Sequence, residues 1–383
     1  MKTFLLTAAI CLVSINAFAE GELDVPHTTA NGPIVVPLPP PPPPADPKAA
    51  PSGEVTDGPK FAPILEVFAQ YRVRTTTAEN GAASWFHELV LGRAFAGIDA
   101  SWKGVSGRVI LEALRSANDG GLVGVAGNAF VFAAREAWAG YTLPLPAEAG
   151  ELRAQAGIVP GFFVPVVESA WRLRLLERTT FEASVLAYAA DFGAHVSYHL
   201  PKKLGFVGLG LENGESYLRP ELNRGKNFVA AAAIHPLATV RGAEPLTLMV
   251  GMQLGSIGTA SARANRYYGG FFWIGDRVSA GVTGVYALGV ADDGAKTSAA
   301  IDFFARVEPF TNILLGGRFA VWLRDTRISG DATSQLLLSA GYRIAEPLEV
   351  HAAFVRTWVA SGALAALPGD DGYDARISAR VHF

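Results

Sequence analysis

Few side chains in this sequence could do chemistry, and they are scattered. His195 and Ser197 stand two residues apart in DFGAHVSYHL with Asp191 just before them, the residue types of a serine hydrolase. A nucleophile needs its base within hydrogen-bond reach, and side chains at i and i+2 of a strand lie about 7 Å apart, so the trio reads as polar residues sharing one strand face. His235-Pro236 and His351 are isolated, and no spacing suggests a zinc or iron site. The acid pairs Asp292-Asp293 and Asp370-Asp371 read as solvated turns, with weak divalent binding in an outside loop as the alternative. No cofactor, metal or catalytic residue is expected.

What remains is arginine. The chain holds 24 Arg against 8 Lys, and the planar guanidinium binds carboxylate and phosphate at two points. These cations sit in a chain of 383 residues that is 50% hydrophobic and 17% charged, too apolar for disorder. Beyond the first twenty residues no apolar run reaches the length of a spanning helix, and 41 Gly with 22 Phe, 10 Tyr and 7 Trp favour many strands edged with aromatics. A large soluble β protein or a membrane barrel remains.

Lys2, the apolar run Phe4 to Ile15 and the Ala17-Phe18-Ala19 site make residues 1–19 a secretory signal peptide. The only cysteine, Cys11, lies within it, so the exported chain is expected to carry no thiol. Residues 20–60, with an unbroken proline run from Pro39 to Pro44, read as an extended periplasmic linker, with a peptide motif for an aromatic groove as the alternative. This linker carries six acids and two lysines, which leaves 29 charges of each sign from Phe61 onward. A neutral body argues against nucleic acid as a partner.

From Phe61 the pattern is period-two alternation, clearest at the end, where Ala375, Ile377, Ala379, Val381 and Phe383 alternate with Arg376, Ser378, Arg380 and His382. Sixteen such segments are expected, including 183 to 200 and 226 to 236. Short turns at Lys103-Gly104, Pro201-Lys202-Lys203, Gly275-Asp276 and Ala345-Glu346-Pro347 alternate with longer loops, among them 117–128, 160–181, 213–225 and 361–373. Lipid offers no partners to backbone polar groups, so the first strand must pair with the last. The expected fold is all-β: a transmembrane antiparallel up-and-down β-barrel over 61–383, preceded by the Pro-rich arm, in the outer membrane of a Gram-negative cell. Phe383 matches the terminal aromatic that the barrel assembly machinery reads.

Parity then turns Arg72, Arg74, Arg93, Arg108, Arg153, Arg306, Arg318, Arg343, Arg376 and Arg380 inward, together with Glu66, Glu88, Asp99, Glu112, Glu136, Asp302, Glu308 and Glu349. A charge facing lipid costs roughly 2 to 4 kcal/mol near the midplane, so inward is the cheaper side. Two readings stay open: pairs that brace the wall, and a cationic ladder for anions.

ELVLGRAFAGIDASW, REAWAGY, AGIVPGFFVPVVES followed by LLERTTFEAS, DFGAHVSYHL, GLENGES and RGKNFVAAAAIHPL, in that order, resemble the phosphate-selective porin O and P family of outer-membrane channels. The resemblance implies a sixteen-stranded porin, commonly trimeric, passing small solutes or anions by diffusion through a watery lumen. Five lysines only (Lys103, Lys202, Lys203, Lys226, Lys296) fall in the barrel, mostly in turns or loops, and none matches the family's lysine-rich phosphate site. By analogy with general porins, the third outside loop folds inward, which makes Glu168, Trp171, Arg172, Arg174, Glu177 and Arg178 constriction candidates. A loop capping the exterior is the alternative. The rival functions are a structural or adhesive barrel with a closed lumen, its arm contacting the cell wall, and a barrel hydrolase.

Overall fold

The structure is a computed structural model that describes residues 58–77, 83–115, 130–146, 149–219, 221–259, 261–290, 293–360 and 371–383. The segment expected as a signal peptide, nearly all of the expected linker, loop 117–128, most of loop 361–373, and Asp292 and Asp370 lie outside the described residues.

Sixteen antiparallel strands close into one barrel. In chain order they are β1 Lys60–Thr77, β2 Ala83–Trp102, β3 Val105–Arg115, β4 Phe130–Pro144, β5 Glu151–Pro160, β6 Ala190–His199, β7 Gly205–Glu212 and β8 Asn227–Ile234. The second half runs β9 Leu246–Leu254, β10 Asn265–Ile274, β11 Val278–Val290, β12 Asp293–Phe310, β13 Ile313–Leu323, β14 Ala332–Ala345, β15 Leu348–Val359 and β16 Gly372–His382. The seam joins β1 to β16, with Glu66 opposite His382 and Arg74 opposite Asp374. Beyond the ladder Phe383 and Leu65 exchange backbone hydrogen bonds of 2.9 and 3.2 Å. Each neighbour in sequence is the neighbour in space, as closure by hairpins requires.

The chain reverses tightly where the sequence permits. Lys103 (φ 47°) and Gly104 (φ 84°) both take positive φ, the two-residue geometry that matches strand twist. The outward face is apolar and exposed, as at Leu89, Phe132 and Val250, while the inward face carries the charges.

Of the register shifts among the described strands, two in the first half of the barrel reset that alternation. The β1–β2 register shifts between Phe68 and Ala69, whose partners are Arg93 and Leu91, so Glu88 and Arg93 face inward despite opposite parity. The β3–β4 register shifts between Ile110 and Leu111, whose partners are Glu136 and Ala134. Arg135 is the extra residue, and it turns inward to lie 4% exposed.

One segment departs from the sequence expectation. Residues 183 to 189, expected as strand, belong to the third loop, which runs from Gly161 to Ala189. The Thr179 hydroxyl accepts the Glu182 N–H (3.2 Å) and starts a helical turn, and Val185 sits at φ 58°, outside any strand conformation. The stretch Leu186 to Ala190 is apolar because it packs in the barrel's interior, which alternation alone cannot separate from a lipid-facing strand.

Candidate constriction in the lumen

The third loop has an internal architecture of its own. Helix α1 spans Val164–Trp171, with Pro165 in the first turn and Arg172 closing it at φ 55°, its N–H donating to the Glu168 carbonyl (2.9 Å). A turn follows, then the short helix α2, Thr180–Ala183. Val164, Val167, Trp171, Leu173, Leu175, Leu176 and Phe181 are buried, and with Phe68, Phe95, Phe272, Phe304 and Leu337 of the wall they form the hydrophobic core. That core sits at the centre of the barrel.

Inward side chains of distant strands hold the loop there. Gln70 of β1 donates to the Leu175 and Leu176 carbonyls, and Arg376 of β16 also donates to Leu176. Arg318 of β13 donates to the Arg178 carbonyl (2.8 Å), and the Thr180 hydroxyl donates to Asp302 of β12 (2.8 Å). Trp171 meets Phe304 edge-on at 5.8 Å. Further round the wall Phe162 stacks on His195 of β6 at 4.4 Å and Phe163 on Tyr268 of β10 at 4.6 Å.

A buried ion cluster joins the loop to β2, β3 and β4. Arg93 Nε lies 2.7 Å from Glu112, and Arg135 lies 3.5 Å from both Glu112 and Glu168 and 3.7 Å from Glu182. Arg174 Nε is 3.0 Å from Glu168, and the Tyr217 hydroxyl donates to Glu112 (2.6 Å). The Phe95 ring lies 4.6 to 5.6 Å from the Arg93, Arg135 and Arg174 guanidinium centres, adding cation–π contacts. Burial opposes ionisation of Glu182, but Arg93, Arg135, Arg174 and Arg178 outweigh it and hold its carboxyl at about 2. Burial, reinforced by Glu182 and opposed chiefly by Arg174, moves Glu168 upward.

Each wall arginine named from parity faces the interior with an acidic partner. Arg72 meets Asp374 at 2.7 Å, and Arg74 meets Glu88 at 3.4 Å. Arg108 meets Asp99 at 2.5 Å, and Arg153 pairs with Glu151. Arg306 and Arg343 share Glu308 at 3.5 and 3.0 Å. Arg318 lies 3.5 Å from Glu177 and 3.7 Å from Asp302. Arg376 meets Asp374 at 2.7 Å, and Arg380 bridges Glu66 (2.5 Å) and Glu349 (3.2 Å). On the loop, Arg172 and Arg178 have no acidic group within 4 Å among the described residues, and the Arg172 guanidinium rests on the Ser169 and Asp276 carbonyls (3.0 and 3.4 Å).

Exposure separates two levels. Arg74, near the outer mouth, and Arg153, near the inner one, have side chains 41% and 47% exposed, while Arg93, Arg318 and Arg376 between them are at 5%, 3% and 5%. The watery interior expected from sequence is narrowed at mid-height by the third loop, which packs apolar side chains on the wall and leaves a charged vestibule on either side.

Sequence reasoning missed Arg135, Glu182, Phe95, Tyr217 and Gln70. Strict alternation with Glu136 inward would turn Arg135 into lipid. An arginine forced there at such a cost was itself the signal of a bulge.

The residues weighed for hydrolysis do not assemble. His195 Nε2 is 2.9 Å from Glu212, Ser197 Oγ is 3.0 Å from His199 Nε2, and Asp191 accepts the Phe192 and Gly214 N–H groups (2.7 Å each). The spacing argument needs correction all the same, because Ser197–His199 and Glu151–Arg153 do meet across i and i+2. No group of three or more metal-ligating side chains occurs among the described residues.

No family model and no curated protein matches the sequence. Solved structures share the fold. The outer-membrane channel DcaP of Acinetobacter baumannii is similar with a TM-score of 0.58 at 11% identity, over 86% of this chain and 98% of that one. The anion-selective porin of Comamonas acidovorans gives 0.56 at 12% identity, over 85% and 100%. Salmonella typhi OmpF gives 0.58 at 13% identity, over 85% and 98%. The fold is thus that of outer-membrane porins.

Proposed function

We propose that this chain is an outer-membrane porin through which small hydrophilic solutes diffuse passively, its third loop setting what passes between the two vestibules. The observation that carries the reading is that loop, inserted in a closed barrel with charge inside and apolar side chains outside. Export by the signal peptide, insertion through the barrel assembly machinery at Phe383, a homotrimer in the lipid bilayer and contact of the Pro-rich arm with the cell wall belong to the same reading.

Anion preference rests on Arg172 and Arg178 rather than on the ten wall arginines named from parity, each of which is matched. Membership of the phosphate-selective porin O and P family is the finer reading, but lysine placement speaks against phosphate selectivity. Lys103, Lys202 and Lys203 sit in short turns, and Lys226 is paired with Glu221 at 2.8 Å.

The dry centre favours a second reading, a structural barrel with a closed lumen. Planar-bilayer conductance and liposome swelling with sugars of graded size separate the two. A porin conducts as wild type, and conducts more when Arg135→Ala and Glu182→Ala loosen the loop. Silence in wild type and in both variants would leave the closed barrel.

A further inference from the structure

On the inner wall, register lines up small residues of four neighbouring strands. Ser197, Gly208, Ala231 and Gly251 are successive cross-strand partners on β6 to β9, and Tyr268 of β10 ends the row. The next inward rows are bulkier, with His195 and Val229 on one side and His199, Phe206 and Met249 on the other. A shallow trench therefore crosses this part of the lumen face.

The root of the third loop occupies the trench. A Cβ at Gly208 would fall 2.6 Å from two atoms of the Phe162 ring, and one at Gly251 would collide with the Tyr268 ring, on which Phe163 stacks. The Phe162 ring is flanked by His195 at 4.4 Å and Phe206 at 5.8 Å, which leaves it little room to swing aside. Neither glycine takes a positive φ, so backbone conformation does not ask for glycine at either position. Glycine inside a strand weakens it and marks the close approach of another group, which here is an aromatic ring. Phe162 and Phe163 lie between Pro160, the last residue of β5, and Val164, the first of α1, so their seating fixes the line along which the helix enters the barrel. The device recurs on β13, where a Cβ at Gly316 would collide with Leu173 of the loop.

We infer that Gly208 and Gly251 are positioning residues of the constriction: they keep the trench free of side chains, seat the loop root against the wall, and thereby set the largest solute that passes. The inference rests on the porin reading above, since only a conducting lumen has a size limit. A methyl group at Gly208 must move the Phe162 ring by about 1 Å, because carbon contacts settle near 3.5 to 4 Å. A close-packed interior passes such a shift on, here to α1.

The test is trypsin digestion of the full chain folded in detergent, with Arg172, Arg174 and Arg178 as the loop's cleavage sites, read beside liposome swelling with sugars of graded size. Gly208→Ala is expected to speed loop cleavage about tenfold and to raise the swelling rate of the larger sugars more than that of the smallest. Phe162→Leu in the Gly208→Ala background gives the ring's space to the new methyl and is expected to bring both readouts back toward wild type. Gly317→Ala, on the outward face with Leu338 3.5 Å from the added atom, is expected to change neither. Should Gly208→Ala fail to fold, Phe162→Ala vacates the trench without touching the wall and is expected to speed cleavage likewise. Wild-type cleavage in Gly208→Ala or in Phe162→Ala, an unchanged sugar limit in Gly208→Ala, or a double variant no nearer to wild type than the single one would each overturn the inference. Cleavage needs no flux, so faster cleavage in a barrel that passes no sugar, wild type included, would count against the porin reading and leave the seating of the loop standing.

Discussion

Among the described residues Arg172 and Arg178 have no acidic group within 4 Å, in a lumen where each wall arginine named from sequence has one, although Arg178 adds to the field that keeps Glu182 ionised. Field lines concentrate in a low-dielectric passage, and an unmatched cation there raises the local concentration of anions. Arg172→Ala combined with Arg178→Ala is expected to lower the anion-to-cation permeability ratio roughly twofold or more, read from the reversal potential in a salt gradient. Arg108→Ala and Arg153→Ala, at paired and half-open positions, are expected to move it little. A titration belongs at this scale too. Glu182 is held at about 2 against an ordinary value of 4.5, so its contribution to loop docking is complete above about 4.5 and is lost as pH falls through about 2. Glu168 is shifted the other way, so protonating it relieves a buried charge instead of breaking the dock. Single-channel conductance is therefore expected to hold steady from pH 7 to 4.5 and to rise as the loop releases below about 3. A rise already complete at pH 5 would refute this account.

At the scale of elements, the strands were the legible part, because period-two alternation is written locally and closure follows from the absence of hydrogen-bond partners in lipid. The ten wall arginines were legible for the same reason. The bulges were not, since a single extra residue in β4 inverts the facing of Arg135 without changing composition. The length of the third loop was obscured as well. A segment packed on all sides in the interior is as apolar as one facing lipid, and only the Thr179 cap and the positive φ of Val185 separate them. The dry centre was beyond reach, because it depends on contacts such as Gln70 to Leu176 that join residues more than a hundred positions apart. Arg135 is where loop and wall are joined most tightly. Removing one partner of a buried ionic group typically costs 3 to 5 kcal/mol, so Arg135→Ala is expected to free the loop while the barrel stays closed. Proteolysis of the loop in the folded protein should then accelerate, with unchanged β-sheet circular dichroism. Loss of the sheet signal would mean that the arginine braces the wall instead.

The whole molecule is a ring, and a ring exists only if its last strand finds its first. The β1–β16 seam carries registered pairs from Glu66–His382 to Arg74–Asp374, with Arg380–Glu66 and Arg72–Asp374 ion pairs across it. Phe383 extends it by two backbone hydrogen bonds to Leu65, of about 1 kcal/mol each, and presents a ring that is 71% exposed at the barrel's edge. Deleting Phe383 removes both bonds and the exposed aromatic, yet leaves the registered ladder intact. The closed barrel should therefore keep most of its thermal stability once formed, while assembly into membranes slows. In pulse-chase experiments following the heat-modifiable folded band, the deletion is expected to delay folding in cells far more than it lowers the melting point of purified protein. Phe383→Ala, which keeps both backbone bonds, should share the delay. If the alanine variant folds in cells at the wild-type rate while the deletion does not, the seam bonds rather than the aromatic ring govern closure.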